Sequence, residues 1–92
     1  MNTLTKTLAF NTGRQYSEAG QRIAAGLLDD GGIIFVDIDR GLEYLIAPGA
    51  ARFTQAAIMA AYDKGDQCHW VEYWRPGHAL VQQLSAVAAE VK

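Results

Sequence analysis

Asp29-Asp30-Gly31-Gly32 separates two runs of apolar and partly β-branched residues. Asp-Gly and Gly-Gly steps supply the backbone conformations that close a tight hairpin, so the flanking runs read as antiparallel strands. Alternate side chains of a strand point to opposite faces, so the neighbourhood is read with a period of two. In Gln21–Leu28, Ile23, Ala25 and Leu27 lie on one face, with Ala24 and Gly26 on the other. In Ile33–Asp39, Ile34, Val36 and Ile38 face the core, so Phe35, Asp37 and Asp39 point the other way.

The same period extends to both sides. Leu4 to Phe10 alternates, with Leu4, Leu8 and Phe10 in phase, and Asn11-Thr12-Gly13-Arg14 turns the chain. A loop follows through Tyr16 and Gly20. Arg40-Gly41 leads into a short strand, Leu42 to Ile46. After Ala47-Pro48-Gly49 the period changes to about 3.6. Thr54 suits an N-cap, and Phe53 and Ile58 fit a hydrophobic staple for a helix over Gln55–Lys64. Gly65 fits its C-terminal cap. Residues 66–74 read as a short strand or extended segment, in which Trp70, Tyr73 and Trp74 are more simply core than a stacking platform. Pro76 suits a first helical turn, and Ala79–Val91 carries a helical stripe of Leu80, Leu84, Val87 and Val91.

The order ββββα(β)α predicts an α+β fold: an antiparallel meander of three to five strands with two helices packed on one face. With 92 residues, 50% of them hydrophobic and 20% charged, the chain reads as a single domain over 1–92. So small a core is marginal, and a homodimer would add burial. No apolar run approaches the roughly 18 residues that span a bilayer, and the alternating N-terminus does not read as a signal peptide. A single cysteine, Cys68, excludes a disulfide within this chain and fits a cytoplasmic setting.

Charge is unevenly placed. Residues 29–43 hold Asp29, Asp30, Asp37, Asp39 and Glu43 against Arg40 alone, a local charge of −4 within a total of −2. Two like charges on one strand face repel, so Arg22, Arg40, solvent or a basic partner must compensate Asp37 and Asp39. These acids can simply keep the sheet soluble and guard it from edge pairing. They can also form an acidic surface that meets Lys and Arg of another protein, with Phe35 as its apolar anchor. The partner-binding candidates are therefore Asp29, Asp30, Phe35, Asp37, Asp39 and Glu43. The alternative for Phe35 is that a helix covers it and the sheet is buried on both sides.

Catalytic and metal chemistry find little footing. Cys68 and His69 are adjacent, so in a strand they would face apart, and only His78 adds another imidazole. Asp37 and Asp39 have the spacing of a carboxylate pair but no companion nucleophile or phosphate loop. We expect no enzyme activity, no cofactor and no metal. The net negative charge disfavours direct nucleic-acid binding, although Arg14, Arg22, Arg52 and Arg75 keep that alternative open.

Phe10-Asn11-Thr12-Gly13-Arg14-Gln15-Tyr16 and Gly20-Gln21-Arg22-Ile23 resemble small accessory proteins of bacteriophages and prophages. Phe35-Val36-Asp37-Ile38-Asp39-Arg40 and Ala61-Tyr62-Asp63-Lys64-Gly65 fit the same resemblance, which covers residues 8–65. It implies a phage protein acting inside a bacterial host cell. Proteins of this size and charge include anti-CRISPR inhibitors, so the expected function is non-catalytic inhibition of a CRISPR–Cas effector complex that blocks target DNA binding. The resemblance assigns no role to an individual residue. The rival expectations are a homo-oligomeric phage assembly module, joined through Trp70–Trp74 or a sheet edge, and a small nucleic-acid-binding protein.

Overall fold

The computed structural model describes residues 3–64, 68–70 and 78–91. Five strands form one antiparallel sheet in sequence order: β1 (Leu4–Asn11), β2 (Arg22–Leu28), β3 (Ile33–Asp37), β4 (Leu42–Ile46) and β5 (Cys68–Trp70). Helix α1 (Gln55–Lys64) follows β4, and α2 (His78–Ala89) follows β5. The α+β class and the meander are as the sequence predicts. The third strand stops at Asp37 rather than Asp39, because residues 38–41 form the turn into β4. The extended segment expected within 66–74 is the strand Cys68–Trp70, paired with β4. The rest of that segment, the side chains of Cys68, His69, Trp70 and His78, the Gly65 cap, Arg75 and Pro76 lie outside the described residues.

The hairpin turn forms as its composition requires. Gly31 takes φ +89°, the Gly31 amide donates to Leu28 O at 3.0 Å, and the Leu28 amide donates to Gly32 O at 2.7 Å. The Asp30 carboxylate accepts from the Gly32 amide at 2.8 Å. At α1, the Ala57 amide donates to the Thr54 hydroxyl at 3.2 Å, the N-cap contact expected of Thr54. Phe53 and Ile58 both enter the core beneath that helix.

The placement of the helices corrects the expectation of a single covered face. α1 and α2 lie on opposite faces of the sheet. Under α1, Phe10, Ile23, Ala25, Ile33, Phe35 and Ile46 meet Ile58 and Ala61. Under α2, Ala24, Leu28, Ile34 and Val36 meet Val81, Leu84 and Ala88. The physical reason lies in β3. Ile33-Ile34-Phe35-Val36 is apolar at both parities, and all four side chains are buried. A strand that is apolar on both sides needs cover on both sides. On the α2 side the small residues Ala24 and Gly26 keep the sheet surface low. A Cβ on Gly26 would meet Leu4 and Leu84, so its absence lets α2 and the start of β1 close over β2. The buried stripe of α2 is Val81, Leu84 and Ala88, with Leu80 and Val87 at its margins.

Phe35 is therefore a core residue and not an exposed anchor. It is fully buried and stacks on its cross-strand neighbour Tyr44, with ring centroids 5.1 Å apart. Tyr62 of α1 closes a triangle of rings, 5.9 Å from Phe35 and 5.3 Å from Tyr44. Phe35→Ala should lower the unfolding free energy by about 3–5 kcal/mol in urea denaturation. A loss under about 0.5 kcal/mol, the range of an exposed position, would contradict this packing.

Candidate functional site

The six residues that the sequence suggests as a partner surface do not form one. Asp29 and Asp30 are exposed at the tip of the β2–β3 hairpin. Glu43 pairs with Val36 and so belongs to the α2 face, where it lines a shallow cleft with Leu42 and Ser85. Phe35 and Asp37 are fully buried on the α1 face. Asp39 follows the end of β3, and its side chain is 1% exposed. The expected acidic face fails because the protein itself supplies the compensating groups for Asp37 and Asp39.

Asp37 lies at the end of β3, beyond the aromatic triangle. Its Oδ2 accepts from Gln21 Nε2 at 2.6 Å and from the Tyr62 hydroxyl at 3.0 Å. Its Oδ1 accepts from the Arg40 amide at 3.1 Å, which shapes the β3–β4 turn. Gln21 is itself fully buried. Its Nε2 also donates to the Tyr62 oxygen at 3.2 Å, and its Oε1 accepts from the Thr12 hydroxyl at 2.6 Å. A buried carboxylate needs such donors, because taking it out of water without them is prohibitively costly. Burial and the neighbouring Asp37 push the Tyr62 phenol up to about 12, so it stays a hydrogen-bond donor at neutral pH.

Asp39 forms a second centre. Arg22 donates to it from the backbone amide at 2.6 Å, from Nε at 3.1 Å and from Nη2 at 2.9 Å. The two nitrogens N and Nε reach Oδ2 and Nη2 reaches Oδ1, to which the Ser17 hydroxyl also donates at 2.6 Å. The Arg22 hydrogen bonds, aided by Ser17, hold the Asp39 carboxyl down at about 2. Both centres fasten the β1–β2 connection, residues 12–21, against the end of the sheet. Asn11 helps from within, donating from Nδ2 to Ala19 O at 2.8 Å.

At the solvent edge the same end carries an exposed rim. Arg14 clasps Asp63 of α1 with two 2.8 Å bonds. The Arg40 guanidinium lies 4.7 Å from the centre of the Tyr16 ring and donates to the Tyr62 hydroxyl at 2.6 Å. Tyr16, Arg14 and Arg40 are all exposed, Tyr16 at 47%. No buried side-chain polar atom among the described residues lacks a hydrogen-bond partner. The arrangement is thus a rigid, internally satisfied base beneath an aromatic and cationic rim. Chemically, the rim offers a flat aromatic face and guanidinium donors. The base offers no loose acid or nucleophile.

Sequence reasoning offered Arg22 and Arg40 as counter-charges; Arg22 pairs with Asp39, but Arg40 meets Asp37 only through its backbone amide, and Gln21, Tyr62, Thr12 and Ser17 were missed. A usable signal was present. Two carboxylates on a buried strand need donors, and Thr12, Ser17, Gln21 and Arg22 crowd the connection at that end of the meander. Comparison with protein-family models, with curated proteins and with solved structures finds no match for this chain.

Two outcomes check the cluster. Tyr62→Phe removes the hydroxyl but keeps the ring, and should lower stability by about 1–3 kcal/mol in urea denaturation. A change within about 0.5 kcal/mol would show that the hydroxyl is not needed. Asp39 is lowered from its ordinary value of 3.8 to about 2 in the folded protein. Its contribution is present above the unfolded value and is lost as pH falls through the folded one. Unfolding free energy should therefore drop as pH falls from about 4 to 2, and this slope should be shallower in Asp39→Asn. Equal slopes in the two proteins would contradict the pairing with Arg22.

Proposed function

We propose that this chain is a non-catalytic protein inhibitor of phage origin that acts in the cytoplasm of a bacterial host. Most concretely, it is an anti-CRISPR that binds a CRISPR–Cas effector complex and blocks target DNA binding. The resemblance of residues 8–65 to small phage and prophage proteins supports the phage setting. Most of the polar cluster, namely Thr12, Gln21, Arg22, Asp37, Asp39 and Tyr62, falls in the stretches that carry this resemblance, while Ser17 lies outside them. A chain that spends its buried acids on holding an exposed loop and turn in place is suited to presenting a rigid surface.

The observation that carries the inhibitor reading is the hairpin tip. Asp29 and Asp30 are exposed at the end of a turn fixed by Gly31 and by the Asp30–Gly32 contact. Such a pre-ordered acidic point meets Lys and Arg of a nucleic-acid channel with little ordering cost. What favours a protein partner over nucleic acid is that Arg14 and Arg22 are already engaged with Asp63 and Asp39. A second reading, self-assembly, draws on β1 as an edge strand among the described residues, although Lys6 in that strand works against strand pairing between copies.

Capture of the tagged protein from bacterial lysates with active CRISPR–Cas systems tests the proposal. The expected result is a stoichiometric Cas complex, with association slowed roughly tenfold by the double change Asp29→Lys and Asp30→Lys. Recovery of the bait alone would overturn the inhibitor reading. An unchanged association rate in the double variant would remove the hairpin tip from it.

A further inference from the structure

Three arginines reach the same end of the sheet and are treated differently. Arg22 grips Asp39 through Nε and Nη2. Arg14 grips Asp63 through Nη1 and Nη2. Arg40 has no carboxylate within ion-pair distance among the described residues, where the ion pairs are those of Arg14 and Arg22. Its Nη1 is occupied by the Tyr62 hydroxyl at 2.6 Å, and its guanidinium is held over the Tyr16 ring. That leaves the Nε–Nη2 edge, the edge with which Arg22 takes both oxygens of Asp39.

From this geometry we infer that Arg40, backed by Tyr16, is a recognition point for a carboxylate side chain on an acidic segment of a protein partner. A guanidinium fork matches a planar carboxylate with two parallel hydrogen bonds. The two tyrosines already fix the position of the fork, so binding sacrifices little rotamer freedom. Arginine and tyrosine are also the side chains that most often anchor protein interfaces. The local charge selects the ligand class. Arg14, Arg22 and Arg40 stand among Asp37, Asp39 and Asp63, so this end has no excess positive charge. A polyanion such as nucleic acid is drawn by a net positive field, whereas a single carboxylate needs only the fork. The Arg40 point lies at the opposite end of the β2–β3 hairpin from Asp29 and Asp30, so it does not rest on the inhibitor reading.

The test is a ¹H–¹⁵N NMR titration of the whole chain with an acetylated and amidated Gly-Glu-Gly peptide, which carries a single carboxylate, with a short oligothymidylate as the rival probe. The peptide should shift the Arg40 Nε–H and Tyr16 amide signals saturably. Arg40→Lys keeps the charge but loses the fork, and should weaken binding roughly tenfold, the equivalent of one charge-assisted hydrogen bond. Arg52→Lys, at an exposed arginine elsewhere, should leave it unchanged. Thermal unfolding shows whether each variant keeps its fold. If Arg40→Lys does not, Tyr16→Leu carries the comparison, because it removes only the aromatic plate and should also weaken binding. No shift at Arg40, an affinity indifferent to these changes, or tighter binding of the oligothymidylate at Arg40 would overturn the inference.

Discussion

One buried carboxylate organises this molecule. Asp37 is the last residue of the central strand and has no access to water. A group of this kind is tolerated only when donors meet it, and each donor here comes from a different segment. Gln21 ends the β1–β2 connection, Tyr62 belongs to the last turn of α1, and the Arg40 amide opens the turn into β4. Satisfying one side chain thus fixes a loop, a helix and a turn relative to the sheet. The hydrogen bond from Thr12 to Gln21 and the Asp39 centre extend the same constraint outward.

The apolar architecture makes that constraint necessary. The centre of the sheet is covered by α1 on one side and α2 on the other, so β3 has no solvent-facing side until it ends. An acid placed at its last position on the α1 side falls inside the protein. The aromatic triangle of Phe35, Tyr44 and Tyr62 delivers the phenol to it, since the ring packs while the hydroxyl reaches Asp37. Packing and polar satisfaction are carried by the same tyrosine. The rim above inherits its order from this base: Arg40 is positioned through Tyr62, and Arg14 through Asp63 on the same helical turn.

Much of this fold was legible in the sequence. The Asp-Asp-Gly-Gly turn, the period of two and the Thr54 cap were enough for an antiparallel meander of the first four strands and for α1 over Gln55–Lys64, whereas the full strand order with β5 beside β4 came only from the structure. The parity within β3 was also legible, because Phe35 and Asp37 do point away from Ile34 and Val36, whereas Asp39 lies beyond the strand in the turn. Parity alone does not say what lies above a face. The helix that covers Phe35 arrives from residues 55–64, and no local pattern in β3 specifies that contact. The acids misled for the same reason. A charge in a strand reads as exposed unless its donors are known, and Gln21 and Tyr62 are distant in sequence from Asp37. What local patterns could not supply was the long-range pairing of polar groups, and that pairing forms the candidate site.

The central claim is that Gln21 and Tyr62 act jointly through Asp37 and not as separate contacts. A double-mutant cycle on unfolding free energy, using Gln21→Met, Tyr62→Phe and the combination, tests it most directly. Because both side chains bond to each other and to the same carboxylate oxygen, the account predicts a coupling above about 0.5 kcal/mol. Additivity within about 0.3 kcal/mol, as for distant independent sites, would contradict it.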